Sequence, residues 1–311
     1  MPVTASGTSY ASRTATLPGL GRVRWTIADD AIGNSRIPTV IYAHGANGGV
    51  GSFAGGTGVA PLREWLMDRR WCVIEGEGGP FDTSGTSFNH WGNSVNRAAY
   101  RAYLDYVAGV LDIGPLVAIG SSMGGLVTKW LATRSDIAND IKGLVSLAGV
   151  GTIFNGNLDT VATDSPINIR QQSARYFNNP TKGLAAAYGA STYGELVDLA
   201  ADHAPENWSP DVWAGRSILE LYGTADIAVP WAPRGSALLR TIREGKPLLD
   251  LAEEHIGLDH ALAEGTGMRL DPVTRFLTDV TTTPPPQNRT VLVADVLYVA
   301  LKGALHPVSF G

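Results

Sequence analysis

VAIGSSMGG, residues 117–125, is an apolar run that stops abruptly in two serines, a methionine and two glycines. A buried strand that ends this way must turn at once, because glycines tolerate backbone approaches that side chains forbid. The pattern Gly-x-Ser-x-Gly fits Gly120-Ser121-Ser122-Met123-Gly124, with Ser122 central. The other frame, centred on Ser121, needs glycine at 119, where Ile119 stands. A serine on a tight strand-to-helix turn holds its hydroxyl clear of the sheet, beside a helix N-terminus that favours negative charge. MGGLVTKWLATR (123–134) has the helical spacing that this reading demands.

Working outward, short apolar runs alternate with helical patterns, which indicates βαβ units and a mostly parallel sheet. Strands are expected at 21–31 (half-exposed), 37–45, 71–79, 115–122, 143–151, 217–226 and 247–254. Helices are expected at 61–69, at 94–112 with Asn93 or Ser94 as N-cap, at 123–134 and at 271–280. Between 152 and 213 the alternation breaks into polar sequence rich in Asn and Tyr, read as a cap inserted between two core strands. TTTPPPQ (281–287) is a stiff linker, and an apolar tail completes 281–311. The domain reading is therefore residues 1–280, with the cap at about 152–213, followed by linker and tail.

Composition removes several function classes. The chain has 311 residues, 44% hydrophobic and 17% charged, a balance that suits a large α/β core and not a disordered chain. The net charge is −5 and no basic stripe is present, so no nucleic-acid partner is expected. Cys72 is the only cysteine, which excludes an internal disulfide or a cysteine-based metal site. No set of His, Asp and Glu has metal-ligand spacing and no phosphate-loop motif occurs, so neither metal nor organic cofactor is expected. No apolar run is long enough to span a membrane. The opening MPVTASGTSYASRTATLPGLG lacks a basic start and an apolar core, which reads as cytoplasmic, with a virion-associated location as the alternative.

A serine hydroxyl needs a base to take its proton and a third group to orient that base. Of six histidines, His260 in GLDHALAEG follows the last expected core strand and precedes the last helix. His255 lies nearer the strand and stays open as the alternative base. Asp226 projects from the end of LELYGTAD, where such a base would meet it; Asp259, adjacent to His260, reads as a surface carboxylate. His44 reads as a structural hydrogen-bonding residue. His90 and Trp91, in FNHWGNS before a helix, are candidate substrate-binding residues, set against a packed aromatic and a capping turn. Trp208, Trp213 and Trp231 read first as packing around the return of the cap.

YAHGANGG, GSSMGG, LYGTADIAVP and GLDHAL occur in this order, and over residues 20–280 the chain resembles the α/β-hydrolase superfamily. The resemblance implies a three-layer α/β fold with a mainly parallel eight-stranded sheet. It also implies a catalytic Ser122, Asp226 and His260, and an oxyanion hole from the backbone N–H groups of Ala46 and Met123. The usual Gly-His pair reads Asp259-His260 here. The expected activity is a serine hydrolase cleaving carboxylic esters, with a peptidase or amidase, which share the machinery on the same fold, as the alternative. A tail-associated phage esterase or depolymerase acting on cell-surface polymers fits the same features, including nineteen arginines against five lysines. A polar or short-acyl ester is the expected substrate, because NGNLDTVATD and RYFNNPTKG lack the apolar face of a lipase lid. TVLVADVLYVALKGAL in the tail reads equally as helix or strand, too apolar to stand in water, and is expected to contact another subunit or a larger assembly.

Overall fold

Strands buried on both faces read as unbroken apolar runs, and helices then have to cover both faces of the sheet. The computed structural model of the protein describes residues 2–80, 90–151, 153, 183–226, 229, 235–261 and 270–282, with strand backbone at 288–293, 296–301 and 304–307. The sheet opens with β1 (Tyr10–Leu17) and β2 (Gly21–Ala28), an antiparallel pair, followed by β3 (Ile37–Ala43). Helix α1 (Ala60–Asp68) leads to β4 (Cys72–Gly76), and α2 (Ser94–Ala108) leads to β5 (Ile113–Ser121). Helix α3 (Gly124–Thr133) and β6 (Ile141–Leu147) come next. The described part of the cap holds α4 (Leu184–Tyr188) and α5 (Tyr193–Ala200), followed by three short 3-10 turns up to Trp213. The core closes with β7 (Ser217–Gly223), α6 (Gly235–Glu244), β8 (Leu249–His255) and α7 (Leu270–Thr281).

The eight strands run in the order β1-β2-β4-β3-β5-β6-β7-β8, antiparallel at β1, β2 and β4 and parallel from β4 to β8. Alternation along each strand sorts the core into two layers. Val40, Tyr42, Val117, Ile119, Val145 and Leu219 face α1 and α7. Ile41, Ala43, Ala118, Leu144 and Ile218 face α2, α3 and α6. Helix α2 starts where expected: the Asn93 side chain accepts from the Asn96 N–H at 2.9 Å.

β1, the hairpin partner of the first expected strand, is not among the expected strands, because its mostly half-exposed and exposed residues carry little apolar signal. Residues 29–31, expected to continue that strand, form a 3-10 turn instead, as two adjacent aspartates favour turning over pairing. The tail is strand and not helix: β9 (Asn288–Val293), β10 (Val296–Leu301) and β11 (Ala304–Pro307) form an antiparallel three-stranded sheet. Its β-branched run decides for strand. NGNLDTVATD, RYFNNPTKG up to its final glycine, Trp231 and the prolines of the linker lie outside the described residues. Among the described residues no helix is long and apolar enough to cross a membrane.

Candidate active site

Ser122 follows β5 directly and has φ of 50°, a left-handed conformation that non-glycine residues seldom adopt. The surrounding glycines make it feasible. A Cβ on Gly120 would stand 2.2 Å from Thr128 Oγ1, and one on Gly124 would stand 2.1 Å from the Ala43 carbonyl oxygen. Helix α3 is thus seated against the end of β3 with no room for a methyl group. The Ser122 backbone is tied on both sides: its N–H donates to Leu147 O at 3.1 Å, and its carbonyl accepts from Val150 N–H at 2.7 Å. Ser121 is buried, and its hydroxyl bonds with Tyr42 in the opposite layer. The two serines therefore serve different faces of the sheet.

His260 and Asp226 meet Ser122 from two other loops. His260 Nε2 is 2.9 Å from Ser122 Oγ, and His260 Nδ1 is 2.7 Å from Asp226 Oδ2. With Nδ1 protonated toward the carboxylate, Nε2 is left as an acceptor for the serine proton. The Asp226 side chain is 1% exposed and that of His260 is 23% exposed, so the acid is sealed while the base still reaches solvent and ligand. The second Asp226 oxygen, Oδ1, accepts from Val229 N–H at 2.8 Å. That donor is a backbone group and leaves no trace in the sequence.

His255, the alternative base, is buried at the end of β8, where its carbonyl accepts from the N–H groups of Thr224 and Leu258. Its Nε2 lies 3.7 Å from Glu253 Oε1, and it is His260 that bonds Ser122. Asp259 is exposed and accepts from Ala261 N–H at 2.9 Å, stabilising the turn that carries His260.

The loop after β3 runs beside the serine. A Cβ on Gly45 would stand 3.1 Å from Ser122 Cβ, which brings the 44–46 backbone against the nucleophile candidate. Among the described residues neither the Ala46 nor the Met123 N–H donates to another group. His44 sits between the Gly45 and Glu77 carbonyls, 2.7 and 3.2 Å from its ring nitrogens, as a structural hydrogen-bonding residue. Two glutamates that the sequence did not single out steady this loop. Buried Glu75 accepts from Phe53 and Ala54 N–H at 2.7 and 3.0 Å, and desolvation raises its pKa. Glu77 pairs with Arg22 at 2.6 Å, with Gly49 packed against its carboxylate.

His90 is 6% exposed and packed on Gly79, and burial lowers its pKa to about 4, so it is neutral at pH 7. Trp91 has φ of 48° and its carbonyl accepts from the Tyr188 hydroxyl at 2.8 Å. It packs half-buried on an apolar cluster of Leu126, Val150 and the cap residues Leu184 and Leu196, with Val229 at its margin. Trp208 and Trp213 are buried 6.0 Å apart, as packing. Among the described residues no group of three or more His, Cys, Asp or Glu is placed to hold a metal ion.

No protein-family model and no curated protein matches the sequence. Solved structures do match. An esterase from Rhizomucor miehei is 18% identical with a TM-score of 0.55, covering 88% of this chain and 81% of that one. An S-formylglutathione hydrolase from Agrobacterium tumefaciens is 14% identical with a TM-score of 0.57, covering 88% and 96%. A puromycin-hydrolysing peptidase from Mycobacterium tuberculosis is 17% identical with a TM-score of 0.61; the match covers 92% of this chain and 41% of the peptidase. At these identities the likeness is one of fold.

Proposed function

We propose that this chain, which has the α/β-hydrolase fold, is a serine hydrolase that cleaves carboxylic esters through an acyl-enzyme. The observation that carries the reading is the continuous line of hydrogen bonds Ser122–His260–Asp226, at 2.9 and 2.7 Å. Ser122 Oγ attacks the ester carbonyl carbon while its proton passes to His260 Nε2. Asp226 holds the resulting imidazolium, itself held by the Val229 N–H. The tetrahedral oxyanion takes the Ala46 and Met123 N–H groups, aided by the N-terminus of α3. Collapse breaks the ester C–O bond, and His260 returns the proton to the departing alkoxide. A water then gives a proton to His260 and attacks the acyl carbon; the acyl C–Oγ bond breaks, His260 returns that proton to Ser122 Oγ, and the acid is released.

The ester preference and a polar or short acyl group are part of the proposal, supported by the polar runs of the cap. Trp91 is the candidate wall of the binding site, since its cluster includes Leu126 and Val150, neighbours of Ser122.

A fluorophosphonate probe and a panel of p-nitrophenyl esters test this. The wild-type chain labels covalently and turns over the acetate ester faster than the palmitate. Ser122→Ala abolishes labelling and lowers turnover by on the order of 10⁴ or more; Ser121→Ala keeps most of both. Labelling that persists in Ser122→Ala overturns the assignment, and preference for the palmitate overturns the acyl reading.

A further inference from the structure

Lys129 and Glu220 are both fully buried, 3.0 Å apart, and take no part in the mechanism above. Gly120, Ser146 and Glu220 lie side by side across β5, β6 and β7 in one register row. Helix α3 covers that row, and Lys129 Nζ reaches down from it to donate to Ser146 Oγ at 2.9 Å as well as to face Glu220. Removing two such charges from water is costly, and buried ion pairs can often be replaced by apolar residues without loss of stability. Stability is therefore a poor account of why a pair stands here.

Its connections supply a better one. Lys129 lies about one and a half turns into α3, the helix that begins two residues after Ser122. A Cβ on Gly149 would stand 2.2 Å from Ser146 Oγ, so the Ser146 side chain supports the Gly149 backbone. Gly149 in turn packs on Gly125 at the start of α3, and the next residue, Val150, donates to the Ser122 carbonyl. On the other side, Leu221, next to Glu220, accepts from Ala148 N–H at 2.8 Å, and the strand ends at Gly223, at the turn that carries Asp226.

We propose that Lys129, Ser146 and Glu220 form a positioning device that locks α3 onto β6 and β7. It thereby holds Ser122 within hydrogen-bond reach of the His260 that Asp226 carries. The three are positioning residues, and the proposal rests on the serine-hydrolase reading. An apolar replacement fills the same space but lacks the directional bonds, so α3 settles at a slightly different height. A displacement of about 1 Å at a reacting atom costs on the order of 10²-fold in rate.

The test is the double variant Lys129→Met/Glu220→Leu beside the wild-type chain, with Tm, kcat, KM and the rate of fluorophosphonate labelling measured for each. The expected result is a Tm close to that of the wild type, with kcat and labelling rate lowered about 10- to 100-fold and KM unchanged. A variant that matches the wild type in kcat and labelling overturns the proposal while leaving the hydrolase reading intact. A wild-type chain that neither labels nor turns over ester overturns both. Should the double variant fail to fold, Ser146→Ala decides, since it keeps the ion pair and removes the Lys129 acceptor together with the hydroxyl that packs on Gly149. A several-fold lower kcat at unchanged KM and Tm supports the device, and wild-type kcat refutes it.

Discussion

Gly124→Ala places one methyl group at the most crowded point of the site. The added Cβ would lie 2.1 Å from the Ala43 carbonyl oxygen, 2.5 Å from its carbon and 2.8 Å from the His44 carbonyl oxygen, where ordinary contact begins at 3.4 Å. All three neighbours are backbone, and Ala43 is fixed by its pairing with Gly120 across β3 and β5. No side chain can swing aside, so the start of α3 and the loop after β3 must separate by roughly 1 Å, a displacement that costs on the order of 10²-fold in rate. That separation opens the gap between Ser122 and the Ala46 N–H. Overpacking costs about 1–3 kcal/mol, offset by up to about 1 kcal/mol from replacing a helical glycine with alanine. The expected variant is therefore modestly destabilised, by about 1–2 kcal/mol, but slowed far more than that loss implies. The assay is kcat for p-nitrophenyl acetate beside a denaturant melt, with Gly215→Ala as control. Gly215 has φ of 70° and nothing within 4 Å of an added Cβ, so there only backbone strain acts, far from the serine. Gly124→Ala with wild-type kcat would refute the argument that this close approach sets the site.

Asp226→Asn removes the acceptor that orients His260 Nδ1–H and should lower kcat by on the order of 10⁴ with the fold retained; a loss under tenfold would rule out Asp226 as the partner of the base. The buried neutral His90 makes stability depend on pH. Its folded pKa of about 4 lies below the ordinary value of 6.5, so the unfolded chain binds the extra proton first. Its contribution is intact above pH 6.5 and is lost as pH falls toward 4, by up to about 3 kcal/mol. Melts between pH 7 and 4 on His90→Phe should be flatter than on the wild type, and equal slopes would show that His90 carries no such load. Deleting residues 284–311 should lower the solution mass by light scattering by far more than the deleted segment itself while ester turnover persists; a mass lower by that segment alone, with lost stability, would mean that the tail folds back on its own domain.

The turn at Ser122 was legible in the sequence because its demands are local. Gly120 and Gly124 must lack side chains to fit against their neighbours, and an apolar strand before them and a helical pattern after them suffice to identify the elbow. The same holds for β3 to β7, whose burial on both faces leaves largely apolar runs, while the edge strand β8 is half-buried. The edge strand β1 was not legible, since half-exposed alternation without a strong apolar face resembles a loop. Chain order suggested Asp226 and His260, but His255 remained open until the fold turned the end of β8. There His255 is packed inward, and the loop five residues on delivers His260 to a serine 138 positions away in sequence. The Val229 N–H on Asp226, the Glu75 anchor of the 51–54 turn and the Lys129–Glu220 pair were decided by tertiary structure alone. Each joins groups whose approach depends on how separate βαβ units stack, and a backbone donor or a buried charge has no local pattern to announce it.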